Sequence, residues 1–295
     1  MRRALILLLL AAGLAWSQVA TAVMYKTART AGLAASDIAH VPDGNALFTN
    51  PAVLCQLDQS GLTAGYQDLF GQSWLPYSVF GVSTPLPGIW GGVGLAVESS
   101  GVTYQDTSLS NEMSVGFSHG FYLMRDKLSS LAFGYTVKYY AIDFGRSAGY
   151  SGTGVDGQTL GSGSTIGVDL ALRARLSDRH WGAMVVKNIN QPRIGKNGAV
   201  VDLPREIQAG FAYSPYHRVW TNFTLINTVG HDTQFHGGLE YGVTDYFTLF
   251  MGIQSSPNRF GFGFNAHLAG FELEYGLLTH PVLPMTHQFT LQYRF

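Results

Sequence analysis

From residue 61 to its end the chain alternates. In the last stretch, Phe289, Leu291, Tyr293 and Phe295 take turns with Gln288, Thr290, Gln292 and Arg294. A strand turns successive side chains to opposite faces, so this stretch has one apolar and one polar face. Leu131, Phe133, Tyr135, Val137 and Tyr139 alternate with Gly134, Thr136 and Lys138. Ile166, Val168, Leu170, Leu172 and Leu176 alternate with Gly167, Asp169, Arg173 and Arg175. Phe271, Leu273, Tyr275 and Leu277 alternate with Glu272, Glu274 and Gly276. Such runs, read between turn signals, predict about fourteen strands. Their spans are 61–70, 74–84, 89–99, 110–121, 129–143, 164–176, 180–188, 204–214, 218–228, 233–242, 246–255, 259–267, 270–279 and 286–295.

The connections sort by length. With Phe295 placed on the periplasmic side, the turns falling there are short: the 85–88 region, 124–127, 177–180, 214–217, 243–245 and 268–270. The long connections 100–109, 145–164 and 190–203 all fall on the other side. An even strand count with short inner turns and long outer loops is the signature of a bacterial transmembrane β-barrel. A secreted sandwich or propeller, the competing all-β reading, has no reason to sort its loops.

Composition agrees. Only 13% of residues are charged and 36 are glycine. Beyond the first residues there is no apolar stretch of about 20, so the sequence predicts no membrane helix. In lipid, that leaves a closed barrel as the spanning structure. The chain opens with "MRRALILLLLAAGLA" and Ala20-Thr21-Ala22, the pattern of a signal peptide over 1–22 cleaved after Ala22, with Ser17 as the alternative. The expected destination is the bacterial outer membrane, reached through the periplasm. Cys55 is the single cysteine, far from either cleavage point. This argues against a lipoprotein anchor and excludes an internal disulfide or a cysteine metal cluster. A small negative net charge gives no case for nucleic acid.

Between leader and strands stands "DGNALFTNPAVLCQLDQ" (43–59). Asp43, Gly44 and Asn45 are turn chemistry. Asn50 is a favoured helix N-cap, Pro51 suits the first helical position, and Ala52 follows. Val53, Leu54 and Leu57 share one helical face. A short amphipathic helix ahead of the first strand cannot join the wall, and the lumen is the nearest shelter for its apolar side. The expected organisation is a signal peptide (1–22), a helical hatch or plug segment (23–60) and an all-β antiparallel transmembrane barrel (61–295). A tail folded beneath the barrel is the alternative for the middle segment.

Two segments, "ARTAGLAASDIAHVPDGNALFTNPAVL" (28–54) and "LPREIQAGFAY" (203–213), resemble the PorV/PorQ group of the wider FadL-like outer-membrane family. The resemblance implies a fourteen-strand barrel with an N-terminal hatch. For FadL members it implies passive uptake of hydrophobic molecules. For PorV-like members it implies an accessory role in type IX secretion, with secretion-system proteins as partners. The chain departs from the usual pattern at Pro42-Asp43-Gly44, Thr49 and Val53, which leaves the subfamily and the cargo open. A structural outer-membrane protein is a third reading.

Catalytic patterns are weak. Gly116-Phe117-Ser118-His119-Gly120 matches G-x-S-x-G, but alternation runs straight through it, so Ser118 and His119 face opposite ways. Gly152–Gly157 matches G-x-G-x-x-G with no strand–helix unit around it. His231 and His236 have an odd spacing near a strand end, which argues against a shared metal. Neither an enzyme (an outer-membrane protease or lipase being the rival) nor a cofactor is expected. The charges alternation assigns to the lumen are Lys138, Asp169, Arg173, Arg175, Glu272 and Glu274, three of each sign. A single-sign ring would suit an ion-selective pore; balanced charges suit internal salt bridges and a plugged or narrow lumen, and equally a merely wet interior.

Beyond outer-membrane lipid, the partners expected are barrel-insertion machinery and hydrophobic or other small-molecule cargo. Phe289, Leu291, Tyr293 and Phe295 form the terminal pattern such machinery is expected to recognise. Deleting Phe295 is expected to lower the amount of heat-modifiable barrel in outer-membrane fractions. Undiminished insertion would reduce the pattern to an ordinary lipid-facing strand.

Overall fold

Strand pairing closes on itself. The computed structural model describes residues 25–104, 107–147, 149–152, 156–196 and 199–295. The expected leader and residues 153–155 of the G-x-G-x-x-G stretch lie outside them. The wall is built from β1 (Gly61–Asp68), β2 (Pro76–Pro85), β3 (Gly92–Tyr104), β4 (Thr107–Arg125), β5 (Ser129–Asp143), β6 (Ser162–Leu176) and β7 (His180–Lys187). After a separate hairpin of β8 (Arg193–Lys196) and β9 (Ala199–Asp202), it continues through β10 (Glu206–Tyr213), β11 (Val219–Thr228), β12 (Gln234–Gly242), β13 (Phe247–Gln254), β14 (Arg259–Leu268), β15 (Phe271–Leu278) and β16 (Thr286–Arg294). These 14 wall strands pair in sequence order, antiparallel, and β16 closes on β1 from Gly61↔Arg294 to Asp68↔His287. Closure leaves the wall no edge strand, which is what a sheet in hydrocarbon requires.

Side-chain parity holds around the ring. On β16, Thr286, Gln288, Thr290 and Gln292 are buried inside, while Phe289, Leu291 and Tyr293 face out. On β5, Ala132, Thr136 and Tyr140 face in, and Val137 and Tyr139 face out. At the short-turn end outward rings stack on one another. Tyr293 stacks on Phe271 with ring centroids 4.5 Å apart and on Phe295 at 5.8 Å, and His180 stacks on Tyr213 at 4.9 Å. Aromatic girdles of this kind mark membrane interfaces.

The wall is not equally tall. β4 has 19 residues and β5 and β6 have 15 each, against 8 in β7, β10, β13 and β15. The tall strands rise at the long-loop end. Residues 100–109, expected as a loop, are there mostly strand: β3 runs to Tyr104 and β4 starts at Thr107, with one register shift at Val102/Thr103. Polar alternation outside the membrane looks like loop in a sequence, yet the ladder with its neighbour continues. The expected 190–203 loop also differs. It carries the β8–β9 hairpin, whose Ile194 is fully buried against Tyr140, Ile142 and Leu203. Since Tyr140 and Ile142 face the lumen, the hairpin bends inward over the mouth. At the opposite end the turns are tight. Gly91 sits at φ 72° where a Cβ would lie 2.0 Å from the Gly120 carbonyl oxygen, so only glycine fits.

The sorted loops give a topology test. Ser151→Cys and Ser177→Cys, each in a Cys55→Ser background, are treated on intact cells with an impermeant thiol reagent. Labelling is expected at 151 and not at 177; the reverse result would invert the barrel.

Candidate functional site

The barrel is filled by its own N-terminal segment. Tyr25 lies towards the long-loop end, where its carbonyl accepts from Gln67 Nε2 (3.1 Å) and its hydroxyl donates to Gln254. A short helix, α1 (Ala28–Gly32), follows, capped by the Thr27 hydroxyl. Asp43–Asn45 forms a 3-10 turn, α2 (Ala46–Thr49) a single α-turn, and Pro51–Gln56 a 3-10 helix rather than an α-helix. The tighter coil still begins at an Asn50 cap with Pro51 in its first turn: Asn50 Oδ1 accepts from Ala52 N (3.0 Å). Asn50 Nδ2 also donates to the Ile38 carbonyl (2.8 Å), so one buried amide ties the two halves of the segment together. Val53 and Leu54 are buried with Tyr77, Val79, Leu47 and Phe48, and Leu57 packs at the edge of this cluster.

Inward glycines let the segment seat directly on the wall. A Cβ on Gly276 would lie 2.0 Å from the Ala28 carbonyl oxygen, on Gly252 2.2 Å from Leu33 C, and on Gly92 2.2 Å from the Leu54 carbonyl oxygen. On Gly120 it would lie 2.2 Å from the Pro51 carbonyl oxygen, and on Gly134 2.3 Å from Ala52 N. Glycine within a strand often marks such a close approach, and here the five seats lie on β15, β13, β3, β4 and β5. Asn45, fully buried, donates to Glu274 (2.7 Å), and Gly44 lies against Thr63 and Gln292. Asp43 belongs to the same turn; its side chain lies outside the described ones.

Charges bind segment and wall. Lys26 reaches Glu98 at 2.5 Å, and Arg29 pairs with Glu240. Arg173 Nε donates to the Ala39 carbonyl (2.9 Å). Within the wall, Lys138 meets Asp169 at 2.5 Å and Lys187 meets Glu206 at 3.0 Å. Glu272 pairs with Arg294 at the short-turn rim, where Arg175 reaches Asp178 at 3.3 Å. Glu98, Lys187, Glu206 and Glu240 share the inward parity of their strands, and that signal could have found them. Lys26 and Arg29 stand in a segment without strand period, and nothing local marks them. Burial pushes the Lys26 ammonium down to about 8 against the pull of Glu98, the Asp37 carboxyl up to about 6, and the Cys55 thiol up to about 11. Burial also holds His40 below its ordinary range, so its imidazole is neutral at neutral pH.

The weak motifs resolve simply. β4 runs unbroken through Gly116–Gly120. Ser118 is buried and hydrogen-bonded to Thr136 (2.8 Å), while His119 points outward to the Trp90 carbonyl. His236 faces in and contacts the Ala34 carbonyl (2.5 Å), whereas His231 lies in the β11–β12 loop. Among the described residues no cluster of histidine, cysteine or carboxylates could hold a metal. At the long-loop mouth a cleft of about 660 Å³ opens between the β8–β9 hairpin and the β11–β12 loop, lined by Arg193, Val200, Leu203, Val229 and His231 among others. Deeper in, above Phe48 and Thr49, only about 10 Å³ stays free beside Glu98, Lys138 and Asp169.

No protein-family model matches the chain, and no curated protein sequence matches it. Solved structures do. The deltaS2S3 mutant of the TodX monoaromatic hydrocarbon channel superposes with a TM-score of 0.64 at 11% identity, covering 91% of this chain and 98% of that one. A FadL homologue of Pseudomonas aeruginosa gives 0.60 at 10% identity, covering 92% and 98%. The toluene transporter TodX of P. putida gives 0.55 at 10% identity, covering 86% and 95%. The chain has the fold of FadL-type barrels. At such identity the likeness reaches no further than the fold.

The seats make a direct prediction. Gly134→Ala is expected to loosen the Pro51–Gln56 turn by about 1–3 kcal/mol, the usual range for overpacking. Amide exchange over 50–57 should then quicken roughly tenfold or more. Gly182→Ala, with nothing within 4 Å of its Cβ position, should leave those rates unchanged.

Proposed function

We propose that the chain is an outer-membrane barrel for the passage of small molecules, closed at rest by its N-terminal segment acting as a hatch. The carrying observation is the fit of segment to wall: inward glycines and buried partners receive residues 26–54 at many strands. A wall made to be filled by a movable piece of its own chain suits regulated passage. The leader pattern, the apolar outer face and the FadL-type fold support the location. The long loops then lie outside and the short turns in the periplasm.

The lumen lining narrows the cargo. Gln67, Gln208, Gln254, Gln288 and Gln292 are all buried on the inward face, among threonines, glycines and paired charges. Such a lining favours solutes that form hydrogen bonds over the purely hydrophobic cargo that FadL resemblance implies. The second reading is a PorV-like accessory barrel for secretion. The tall β3–β6 wall favours it, because that wall holds the long 144–161 connection above the rest of the barrel for a partner to reach.

Planar-bilayer conductance separates the two. Deleting residues 28–58 is expected to open the lumen. Asn50→Ala, which removes a cap worth about 0.5–2 kcal/mol, should raise the open fraction several-fold. Equal conductance of wild type and deletion would remove the hatch and put the secretion reading ahead.

A further inference from the structure

One stretch of the hatch closes on the wall differently from the rest. Elsewhere backbone sits on glycine; at His40 a ring sits between rings. The imidazole stacks on Trp220 with centroids 5.0 Å apart and planes 13° apart, and it meets Trp181 at 5.2 Å and 55°. Both tryptophans face the lumen near the short-turn end, second residues of β11 and β7. β10 runs between these strands, and Ala212 lies opposite both Trp181 and Asn222. Its methyl leaves an open floor between the two indoles.

The inner end of this slot is polar. Trp220 lies directly across from Glu240 on β12. Glu240 is 2% exposed, pairs with Arg29 and accepts from Asn222 Nδ2 (2.7 Å). His40 Nδ1 lies 3.6 Å from Glu240 Oε1, too far for a hydrogen bond. Asn222 is fully buried, and its Oδ1 has no hydrogen-bond partner. Two aromatic walls, a small floor and a buried carboxylate–amide end therefore belong to the wall alone. The hatch supplies the ring that fills them and, from Arg29, the ion pair on Glu240.

We propose that this slot is a binding site for a flat nitrogen heterocycle carrying an N–H donor, and that His40 is its resting occupant. This rests on the passage reading above and names the solute class at the inner end of the path. A ring entering the slot replaces His40 between the indoles and gives Glu240 or Asn222 a well-placed donor. Segment 38–42 is then released. A hydrocarbon ring gains the stacking but leaves the buried Asn222 Oδ1 unpaired, a difference large enough to discriminate between ligands.

The test is binding in detergent, which does not depend on passage. In a Trp74→Phe, Trp90→Phe background, indole emission within the described residues comes from Trp181 and Trp220. Imidazole at mildly alkaline pH, where it is neutral, is titrated against toluene as the hydrocarbon ring and glucose as a non-aromatic solute. Saturable quenching by imidazole is expected in the full chain and roughly tenfold tighter in His40→Ala, which lacks the internal competitor. His40→Gln, ringless but polar, should also bind more tightly than wild type. Adding Trp220→Leu to His40→Ala should abolish binding in barrels that remain heat-modifiable, with Trp181→Leu as the second such variant. Toluene or glucose binding as well as imidazole, binding that survives loss of either indole, or His40→Ala binding no tighter than wild type would each overturn the site. A barrel that binds imidazole but never conducts would keep the slot and remove passage; one that conducts without binding would do the opposite.

Discussion

Backbone resting on backbone is the constraint around which this barrel is arranged. A closed ring of 14 strands encloses a limited cross-section. A folded segment of chain fits inside only where wall side chains are absent. Gly276, Gly252, Gly120, Gly134 and Gly92 provide that room on five different strands. The rest follows from it. The glycine content far above average is in part the imprint of the segment on the wall, and the outer face, which meets lipid instead, keeps its large apolar residues. The segment in turn needs to be thin, and its tight 3-10 turns and small residues such as Ala28, Ala31 and Ala52 make it so.

Charge plays a different part. Burying Lys26 with Glu98 and Arg29 with Glu240 costs much of what the attraction returns, because both partners lose water. Such pairs contribute little net stability, but an unpaired member is severely penalised. They therefore act as register marks: the segment lies in the lumen in an arrangement that brings both Lys26 and Arg29 to carboxylates. The amides and hydroxyls around them extend the same logic, with Asn45 held to Glu274 and Asn50 bridging to Ile38. A segment fixed in this way is well placed, yet polar contacts are the ones water or a polar solute can replace most readily. Closure and readiness to open are compatible for that reason.

The two ends of the lumen are built unlike each other. At the long-loop end the β8–β9 hairpin leans inward on Ile194, beside an open cleft. At the short-turn end the closure is aromatic, with His40 held between two indoles over a floor of alanine. A solute crossing such a barrel would leave an open, mixed surface, pass a hydrogen-bonding middle and meet a ring-shaped exit. The likeness to hydrocarbon channels is one of fold; the lumen here is lined by glutamine, threonine and paired ions.

The sequence by itself determined the ring. Period-two alternation with a lipid-facing parity sets strand count, facing and loop order, because a one-residue slip would turn apolar side chains into the lumen. It also determined the start of the last turn of the N-terminal segment, since an Asn–Pro pair is a local capping signal and needs no distant partner. Alternation gave a facing to Asp169, Arg173 and Glu274 but not what they touch. Two things only the tertiary structure decided. Residues 100–109 read as a loop because their alternation is polar, and only the neighbouring ladder makes them strand. The meetings of Lys26 with Glu98, Asn45 with Glu274, and His40 with Trp181 and Trp220 join residues far apart in the chain. A segment without period, folded inside a ring, carries no local signal of its partners. Where its side chains land is decided by where the wall leaves them room.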